Sequence, residues 1–489
     1  MLGKLFDVAI IGNELAGLTA GALLVKRGFQ VVVIDVENAR LQVKRDGYTL
    51  RPFPGLFYGF GQGQVFSDIF LELGIPFLEK KRFQMAQPAY QVAMPEARVD
   101  IVQGREEWTK LLHSEFGADA GGLLNMLNEM DRYNSLLRRL LTHEQMIYPP
   151  ATLREKWRIN RACSDLGADF KEGIRLDYNE FLDSFHLSAT TRAFLDAQYY
   201  FLAPVFPDNP SLFFASFIFS YINKGIFNVE GGLRVLEDIC KERISSYRGQ
   251  LQRAGEIESV DFGRVNEIQL GGVKEPVRAK KLLVCTDVGA FLEKFAAKSL
   301  KGAFRERLQA PPPRRHTFTL FVAIDGRVAP VGMRENVILL TDPSKSVSSD
   351  NLAFVSISPT DNPDYAPAGK RLLAATTVVE PESGELTAPE ARRLAGQLLN
   401  NLRDLAPFLD DFTEFVAYDE SFALYQAIRR STVSPAIDPE DRFGIACLPN
   451  RTPHKEVFYA GKGALPGLGM EGEGFTGLMA AQLLVKELS

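Results

Sequence analysis

The chain has 489 residues, enough for about two to four domains. Its 46% hydrophobic and 24% charged residues are ordinary globular values and exclude a disordered, collagen-like or coiled-coil chain. The net charge of -5 argues against a nucleic-acid partner, and four scattered cysteines with five scattered histidines exclude a disulfide framework or a clustered metal site.

The N-terminal segment carries no recognisable targeting signal. Residues 1–7 hold a single lysine and lead directly into an apolar run, unlike a signal peptide. No window reaches the roughly 18 consecutive apolar residues of a membrane span. We therefore expect a cytoplasmic protein and leave open an association with a membrane surface.

The first 35 residues predict a strand, a turn, a helix and a second strand. Residues 6–12 (FDVAIIG) are apolar and stop at glycine, residues 17–28 are rich in Ala and Leu, and residues 30–34 (QVVVI) precede Asp35. A carboxylate at this distance from the first glycine accepts hydrogen bonds from an adenosine ribose. The pattern predicts a dinucleotide-binding Rossmann unit.

The glycine turn of this unit is irregular. The three positions of the G-x-G-x-x-G pattern are Gly12, Glu14 and Gly17, so a glutamate replaces the glycine that lets backbone approach a pyrophosphate. A carboxylate about 5 Å from a phosphate charge costs on the order of 3 kcal/mol at an effective dielectric near 20. Either Glu14 points away, a cation neutralises it, or no pyrophosphate binds there.

Two nearby segments resemble the flavin-dependent phytoene desaturase and amine oxidase superfamily. Asn38-Ala39-Arg40 follows the second strand like the family's G-G-R segment, and Asp46-Gly47-Tyr48 matches its D-G-F/Y turn. The resemblance implies that Arg40 reaches the flavin pyrophosphate, while a solvated loop arginine is the alternative. Arg51 departs from the family, which usually has an acidic residue shortly after this turn.

The C-terminal segment carries the most specific resemblance. Residues 457–461 predict an apolar strand, and the glycine-rich residues 463–477 (GALPGLGMEGEGFTG) lead to a helix over residues 478–488. The family ends in the same way, with Y-x-A-G-D-x-x-x-P-G-x-G-x-x-G-x-x-x-S-G before its last helix. Residues 230–244 and 249–286 are similar to its G-G-M/L helix, its β-ribbon and its returning strand.

The tail also departs from the family, because Lys462 replaces the aspartate that contacts the flavin ribityl chain or pyrophosphate region. In the family fold this position and the N-terminal turn approach the same phosphates. The resemblance therefore predicts a buried ion pair between Glu14 and Lys462. Removing one partner of a buried pair typically costs about 3 to 5 kcal/mol.

Two interpretations of the cofactor remain open. In the first, the chain binds FAD through a set of residues from both ends: Gly12, Glu14, Gly17, Asp35, Arg40, Gly461, Lys462, Gly467 and Gly469. In the second, the chain keeps the fold without the flavin, as the Rab GDP-dissociation inhibitors of the same structural superfamily do.

The segments between the flavin motifs predict a substrate domain with helices at residues 107–116, 121–142 and 189–201 and strands at residues 318–324 and 372–379. Eleven aromatic residues lie within residues 194–227. Phe213, Phe217 and Tyr221 belong to this run and are the candidate substrate contacts. The run is a buried helix, the wall of a tunnel for an apolar substrate, or a face that docks on a membrane.

Glu471 and Glu473 are the candidate acid-base residues. They lie in the predicted tail loop that in the family passes the flavin ring, where an apolar setting would raise the pKa of a carboxyl group. Solvated loop glutamates are the alternative interpretation.

Together these patterns predict an α/β fold in which a Rossmann-type FAD-binding domain is interleaved with a mixed α+β substrate domain. Residues 1–105, 224–315 and 431–489 form the first domain, and residues 106–223 and 316–430 form the second. The expected function is that of an FAD-dependent oxidoreductase, a dehydrogenase, desaturase or isomerase for a lipophilic small molecule such as an isoprenoid. A flavin-free binding protein is the alternative, and an amine oxidase is a weaker one.

Overall fold

A computed structural model describes residues 4–36, 42–51, 56–75, 81–143, 146–310, 313–328, 332–360, 362–431 and 436–489. The strands are β1 (Leu5–Ile11), β2 (Val31–Val36), β3 (Val43–Arg45), β4 (Tyr48–Leu50), β5 (Phe83–Met85), β6 (Tyr90–Met94), β7 (Ala97–Ile101), β8 (Phe227–Val229), β9 (Gln250–Ala254), β10 (Ile257–Asp261), β11 (Asn266–Leu270), β12 (Val277–Val284), β13 (His316–Asp325), β14 (Asn336–Leu340), β15 (Leu352–Ile357), β16 (Lys370–Val379), β17 (Thr413–Ala417) and β18 (Val457–Tyr459). The helices are α1 (Leu15–Lys26), α2 (Val65–Leu73), α3 (Arg105–Phe116), α4 (Ala120–Leu141), α5 (Leu153–Asp165), α6 (Ala168–Gly173), α7 (Tyr178–Asp183), α8 (Ala189–Leu202), α9 (Leu212–Lys224), α10 (Leu233–Ser246), α11 (Val288–Ala296), α12 (Gly302–Leu308), α13 (Ala388–Leu405), α14 (Leu409–Phe412), α15 (Tyr418–Ser431) and α16 (Gly469–Leu488).

The first sheet has the order β10-β11-β12-β1-β2-β9, and β18 pairs with β12. Strands β18, β12, β1, β2 and β9 are parallel, whereas β10, β11 and β12 form an antiparallel ribbon. β1 is apolar on both faces because helices cover both. Val8 and Ile10 belong to the core that includes α1 and α16, and Ala9 and Ile11 face a second core beside α11.

The second sheet has the order β17-β13-β16-β15-β14-β6-β7 and is antiparallel except between β14 and β6. Leu394 and Leu398 of α13 share a core with Val322 and Val355 of the sheet. Ile338 and other residues that point to the opposite face join the large core around α4, α8 and α9. The sheet is therefore covered by helices on both sides.

The predicted fold class is confirmed. The Rossmann unit, the helices of the substrate half and the strands β13 and β16 lie where the sequence predicts them, to within a few residues. The domain limits stay a prediction, but the hairpin β6-β7 lies within residues 1–105 and pairs through β14 with the second sheet. Strand β6 is apolar, and its sequence alone does not indicate which sheet it joins.

The tail differs from the prediction at one point. A glycine-rich loop was expected up to residue 477, whereas α16 begins at Gly469 and carries both candidate glutamates. Among the helices within the described ranges, none is both long enough and apolar enough to cross a bilayer.

Candidate functional site

The carboxyl ends of four parallel strands bring the two ends of the chain together. The Gly12 amide donates to the carbonyl of Ile34 at 3.0 Å, and the Cys285 amide donates to the carbonyl of Ile11 at 2.8 Å. The amide of Ala460, just after β18, donates to the carbonyl of Val284 at 3.1 Å. The turn after β1 and the segment after β18 therefore flank the same edge of the sheet, as the Rossmann prediction requires.

Two of the three turn positions keep the roles that glycine has in dinucleotide folds. Gly12 has a φ of +102°, which other residues rarely adopt. A Cβ on Gly17 would lie 2.4 Å from Cys285 Sγ, so a side chain there would separate α1 from the strands. These positions fit the tight turn and the close helix–strand packing of the motif.

Glu14 caps the N-terminus of α1 with its backbone. Its carbonyl accepts from the Leu18 amide at 3.0 Å, whereas its side chain forms no capping hydrogen bond. The side chain is half-buried. Burial, and then the nearby carboxylate of Glu473, raise the pKa of Glu14 to about 7, and Lys462 opposes this shift.

Glu473 lies on α16 and is 5% exposed. Burial raises its pKa, while Lys462 and the backbone amide of Ala16 act in the opposite direction. Ala16 belongs to the first turn of α1, where amides lack helical partners. The Glu473 carboxyl group therefore lies at the end of α1 that binds the diphosphate in dinucleotide folds.

α16 reaches this position because it packs closely on α1. A Cβ on Gly477 would lie 2.5 Å from the carbonyl oxygen of Ala16, so the glycine is needed for the approach of the two helices. The sequence identifies Glu473 as a candidate, but it gives no sign that the residue faces α1.

Lys462 supplies a positive charge to this cluster, and the residue is exposed. Its pKa is raised by Glu473 most strongly and by Glu14 to a lesser degree. Among the contacts of the described residues there is no direct ion pair between Glu14 and Lys462. The predicted pairing is therefore corrected: Lys462 acts on both glutamates, and on Glu473 most strongly.

The glycines of the tail segment are enclosed by neighbouring residues. A Cβ on Gly461 would lie 3.0 Å from Tyr459 Oη, and one on Gly467 would lie 2.8 Å from Ile445 Cα. Gly469 has a φ of +51° and starts α16. These positions are built for close packing of backbone, which is compatible with their predicted place beside a cofactor.

The remaining cofactor candidates have separate outcomes. Asp35 lies at the end of β2, half-buried, and pairs in register with Arg253 of β9. Arg40 lies outside the described residues, so its predicted role stays a prediction. The guanidinium of Arg51 lies 4.4 Å from the ring centroid of Tyr365, and its buried Nε has no hydrogen-bond partner among the residues that the structure describes.

Glu471 forms a buried ion pair that the sequence did not reveal. Arg138 Nη1 donates to Oε1 at 3.0 Å and Nη2 donates to Oε2 at 2.8 Å, and Glu471 is 0% exposed. The guanidinium lies 4.5 Å from the ring centroid of Phe217. Because both carboxylate oxygens are engaged by a cation, the geometry favours a structural role over the predicted acid-base role.

The three candidate substrate residues lie in α9 and are buried. Phe213 and Phe217 are 0% exposed and Tyr221 is 2% exposed. Tyr221 stacks on Tyr58 with ring centroids 3.9 Å apart. No residue from Leu212 to Ile222 is exposed, so this helix presents no face for docking on a membrane.

The carboxyl edge of the first sheet fits FAD in shape but only conditionally in charge. Gly12, Gly17 and the first turn of α1 match the shape that a diphosphate needs, and Asp35 is placed for a ribose. Among the described residues, Lys462 can balance one negative charge and a diphosphate brings two, so these residues fit FAD best when Glu14 and Glu473 are protonated.

Comparisons with known proteins agree with the fold. No protein-family model and no curated protein sequence matches the chain. A solved oxidoreductase from Methanosarcina mazei covers 98% of this chain and 100% of its own, with 18% identity and a TM-score of 0.60. A double mutant of putrescine oxidase from a redesign of cofactor binding covers 99% of both chains, with 13% identity and a TM-score of 0.54. Cyclohexylamine oxidase from Brevibacterium oxydans covers 99% of both chains, with 14% identity and a TM-score of 0.53. The chain is therefore similar in fold to these enzymes over nearly its whole length.

Proposed function

We propose that the chain is an FAD-dependent oxidoreductase, a dehydrogenase, desaturase or isomerase for a lipophilic substrate of the isoprenoid or polyene class. The observation that supports it is the meeting of both flavin-like motifs at one sheet edge. Gly12 follows β1 and Ala460 follows β18, and both strands flank β12. Ligands of open α/β sheets bind at the carboxyl ends of the strands, where both segments lie.

In this proposal each group at the edge has a defined role toward FAD. Gly12 and the first amides of α1 would hold the diphosphate, Asp35 the adenosine ribose, and Lys462 would supply a counter-charge. FAD, when bound, supplies hydride exchange with a carbon of the substrate. The chain orients the cofactor and keeps water away from the exchange.

The preference for a lipophilic substrate rests on the aromatic residues beside α16. A Cβ on Gly59 would lie 2.8 Å from Glu471 Cγ, so the neighbouring Tyr58 and Phe60 lie close to the start of α16. Phe60 stacks on Phe66 with centroids 5.2 Å apart. Aromatic surroundings of this kind favour an apolar molecule and exclude water. A cytoplasmic location with access to substrate at a membrane surface belongs to the same proposal.

A flavin-free binding protein on the same scaffold is the second candidate. Glu14 and Glu473 favour it, because their ionised forms place two negative charges where a diphosphate would lie. This candidate predicts a colourless protein that does not take up added flavin.

The visible absorption spectrum of the purified chain separates the two candidates. We expect the two bands of oxidised flavin, retained through gel filtration and released as FAD on heating. Gly12→Val should remove both bands for two reasons. The added Cβ would lie 3.3 Å from Thr286 N, and the φ of +102° at this position is strained for any residue with a side chain. Gly396→Ala is the matched control, since its Cβ would meet nothing within 4 Å. A protein that stays colourless after incubation with FAD at acidic and neutral pH contradicts the proposal.

A further inference from the structure

The N-terminus of α1 is surrounded by titratable groups from several elements. Glu14 begins α1, Glu473 comes from α16, and Lys462 comes from the segment after β18. Glu473 is nine-tenths buried and lies one turn before Gly477, where a Cβ would come within 2.5 Å of the Ala16 carbonyl oxygen, so a carboxyl group of the chain already lies beside the first turn of α1. The cluster therefore competes with any external anion at this end of the helix.

We propose that Glu14 and Glu473 couple the binding of FAD to the uptake of protons, so that the dinucleotide binds tightly only when these two carboxyl groups are neutral. This inference rests on the proposed function. In this role the two residues make the affinity for FAD depend on pH. Neither the glycine motif nor the fold itself would produce that dependence.

The proton balance follows from charge. In the free protein burial raises the pKa of both carboxyl groups, that of Glu14 to about 7, so both are protonated more easily than an ordinary glutamate. A diphosphate beside them raises both pKa values further. Each carboxylate that is ionised before binding takes one proton from solvent, and no covalent bond changes.

The sign of the pH dependence follows from this linkage. The bound state holds more protons than the free state, so affinity is greatest below the pKa values of the free protein and falls as pH rises through them. The dissociation constant should increase by about tenfold per pH unit for each proton taken up.

Two further carboxyl groups face the cluster from neighbouring helices. Glu237 of α10 acts on all three residues and lies 3.9 Å from Lys241 on its own helix. Asp287 caps α11 by accepting from the Ala290 amide at 2.9 Å.

Two more groups face the cluster from the sheet. Burial raises the pKa of Cys285 well above its ordinary value, and burial also raises the pKa of Tyr459. Both groups therefore stay neutral throughout the range in which the carboxyl groups titrate.

The test is a titration of the full-length, flavin-stripped chain with FAD between about pH 6 and 8, where Glu14 titrates. Binding is followed by quenching of flavin fluorescence, and proton uptake by calorimetry in buffers that differ in ionisation enthalpy. We expect the dissociation constant of the wild type to rise with pH and net proton uptake on binding. Glu14→Gln and Glu473→Gln should each bind FAD more tightly at pH 8 and each lower the slope by up to one proton.

Control variants test whether any loss of a carboxylate, or any change of local charge, alters the pH slope. Glu106→Gln removes a carboxylate of α3 that is paired at the surface with Lys110, and it should leave the slope unchanged. Lys462→Gln should weaken binding throughout the range, because the cation is lost. Circular dichroism at each pH verifies that the variants are folded.

The outcomes separate this inference from the proposed function. A pH-independent dissociation constant, or glutamine variants with the slope of the wild type, overturns proton coupling while FAD binding stands. If only the glutamine variants bind FAD, the two glutamates control the site as inferred, and the wild type is not a flavoprotein in this range. Folded wild type and variants that all fail to bind FAD overturn both proposals.

Discussion

The buried ion pair between Arg138 and Glu471 offers the sharpest test of the packing. Arg138 lies on α4 and Glu471 on α16, with side chains 7% and 0% exposed. The perturbation is Glu471→Gln, which keeps the shape and removes the charge. The guanidinium is then left buried without its bidentate partner, beside the ring of Phe217 at 4.5 Å.

The expected loss of stability is large because the ion pair is bidentate and shielded from water. Removal of one partner of a buried pair destabilises a protein by about 3 to 5 kcal/mol, since the other charge stays desolvated. Replacing both partners by apolar residues of similar volume is often nearly neutral. Arg138→Met combined with Glu471→Met should therefore recover most of the loss caused by Glu471→Gln.

The control lies on the same helix. Arg132 and Glu129 of α4 are 2.6 Å apart, but their side chains are 39% and 45% exposed. Glu129→Gln should cost less than about 1 kcal/mol because water screens the pair.

Urea denaturation followed by circular dichroism and tryptophan fluorescence measures these differences. Trp108 of α3 is buried and reports on the helices that pack against α4, whereas Trp157 is 59% exposed. Coincident transitions by both probes are needed before a free energy is derived. If the double variant is as unstable as Glu471→Gln, or Glu471→Gln is no worse than Glu129→Gln, the reasoning from desolvation is wrong.

Two further predictions concern packing and pH. Gly17→Ala should destabilise the chain by about 1 to 3 kcal/mol, because its Cβ would lie 2.4 Å from Cys285 Sγ. Cys285→Ala should relieve part of that loss, whereas Gly396→Ala in α13 should be neutral or slightly stabilising; equal melting curves for all variants would contradict the packing argument. Burial raises the pKa of Asp441 to about 6, so its contribution to stability is complete below about pH 4 and is lost as pH rises through 6. Asp441→Asn loses the hydrogen bond from Tyr148 at every pH. Beyond that constant loss, its stability relative to the wild type should rise by up to about 3 kcal/mol between pH 4 and 7. A stability difference between the two proteins that does not change with pH would refute this assignment.

The Rossmann half was predictable because its signals are local. The strand over residues 5–11 is apolar except for Asp7 and is followed by a glycine, and a parallel strand covered on both faces favours that pattern. Asp35 follows the next such strand, so its place at the same sheet edge also follows from the sequence. Neither inference needs a contact between distant segments.

The environments of the two tail glutamates were not predictable, because they depend on distant residues. Arg138 lies 333 positions before Glu471, on a helix whose arginines resemble ordinary surface charges. The glycines between residues 463 and 477 favoured a loop by propensity. In the structure they serve helix packing instead, since a Cβ on Gly472 would lie 2.3 Å from the Leu465 carbonyl oxygen and one on Gly477 would lie 2.5 Å from that of Ala16.

The spacing of Glu471 and Glu473 explains why neighbouring glutamates have separate roles. Residues two apart on an α-helix point about 200° from each other. Glu471 therefore reaches Arg138 on α4, while Glu473 reaches the N-terminus of α1 on the other side. The start of α16 thus lies between the helical half of the chain and its nucleotide-binding edge.

This geometry predicts that one of the two glutamates affects stability and the other affects cofactor binding. Glu471→Gln should lower the free energy of unfolding and leave the pH slope of FAD binding unchanged, because its charge interacts with Arg138. Glu473→Gln should alter that slope and stabilise the chain slightly or leave its stability unchanged, because it removes a buried carboxylate whose pKa is raised. Urea denaturation and FAD titration of the same two variants provide both readouts. If both variants shift both quantities alike, the two carboxyl groups belong to one coupled site, and the separation inferred from the helix geometry is wrong.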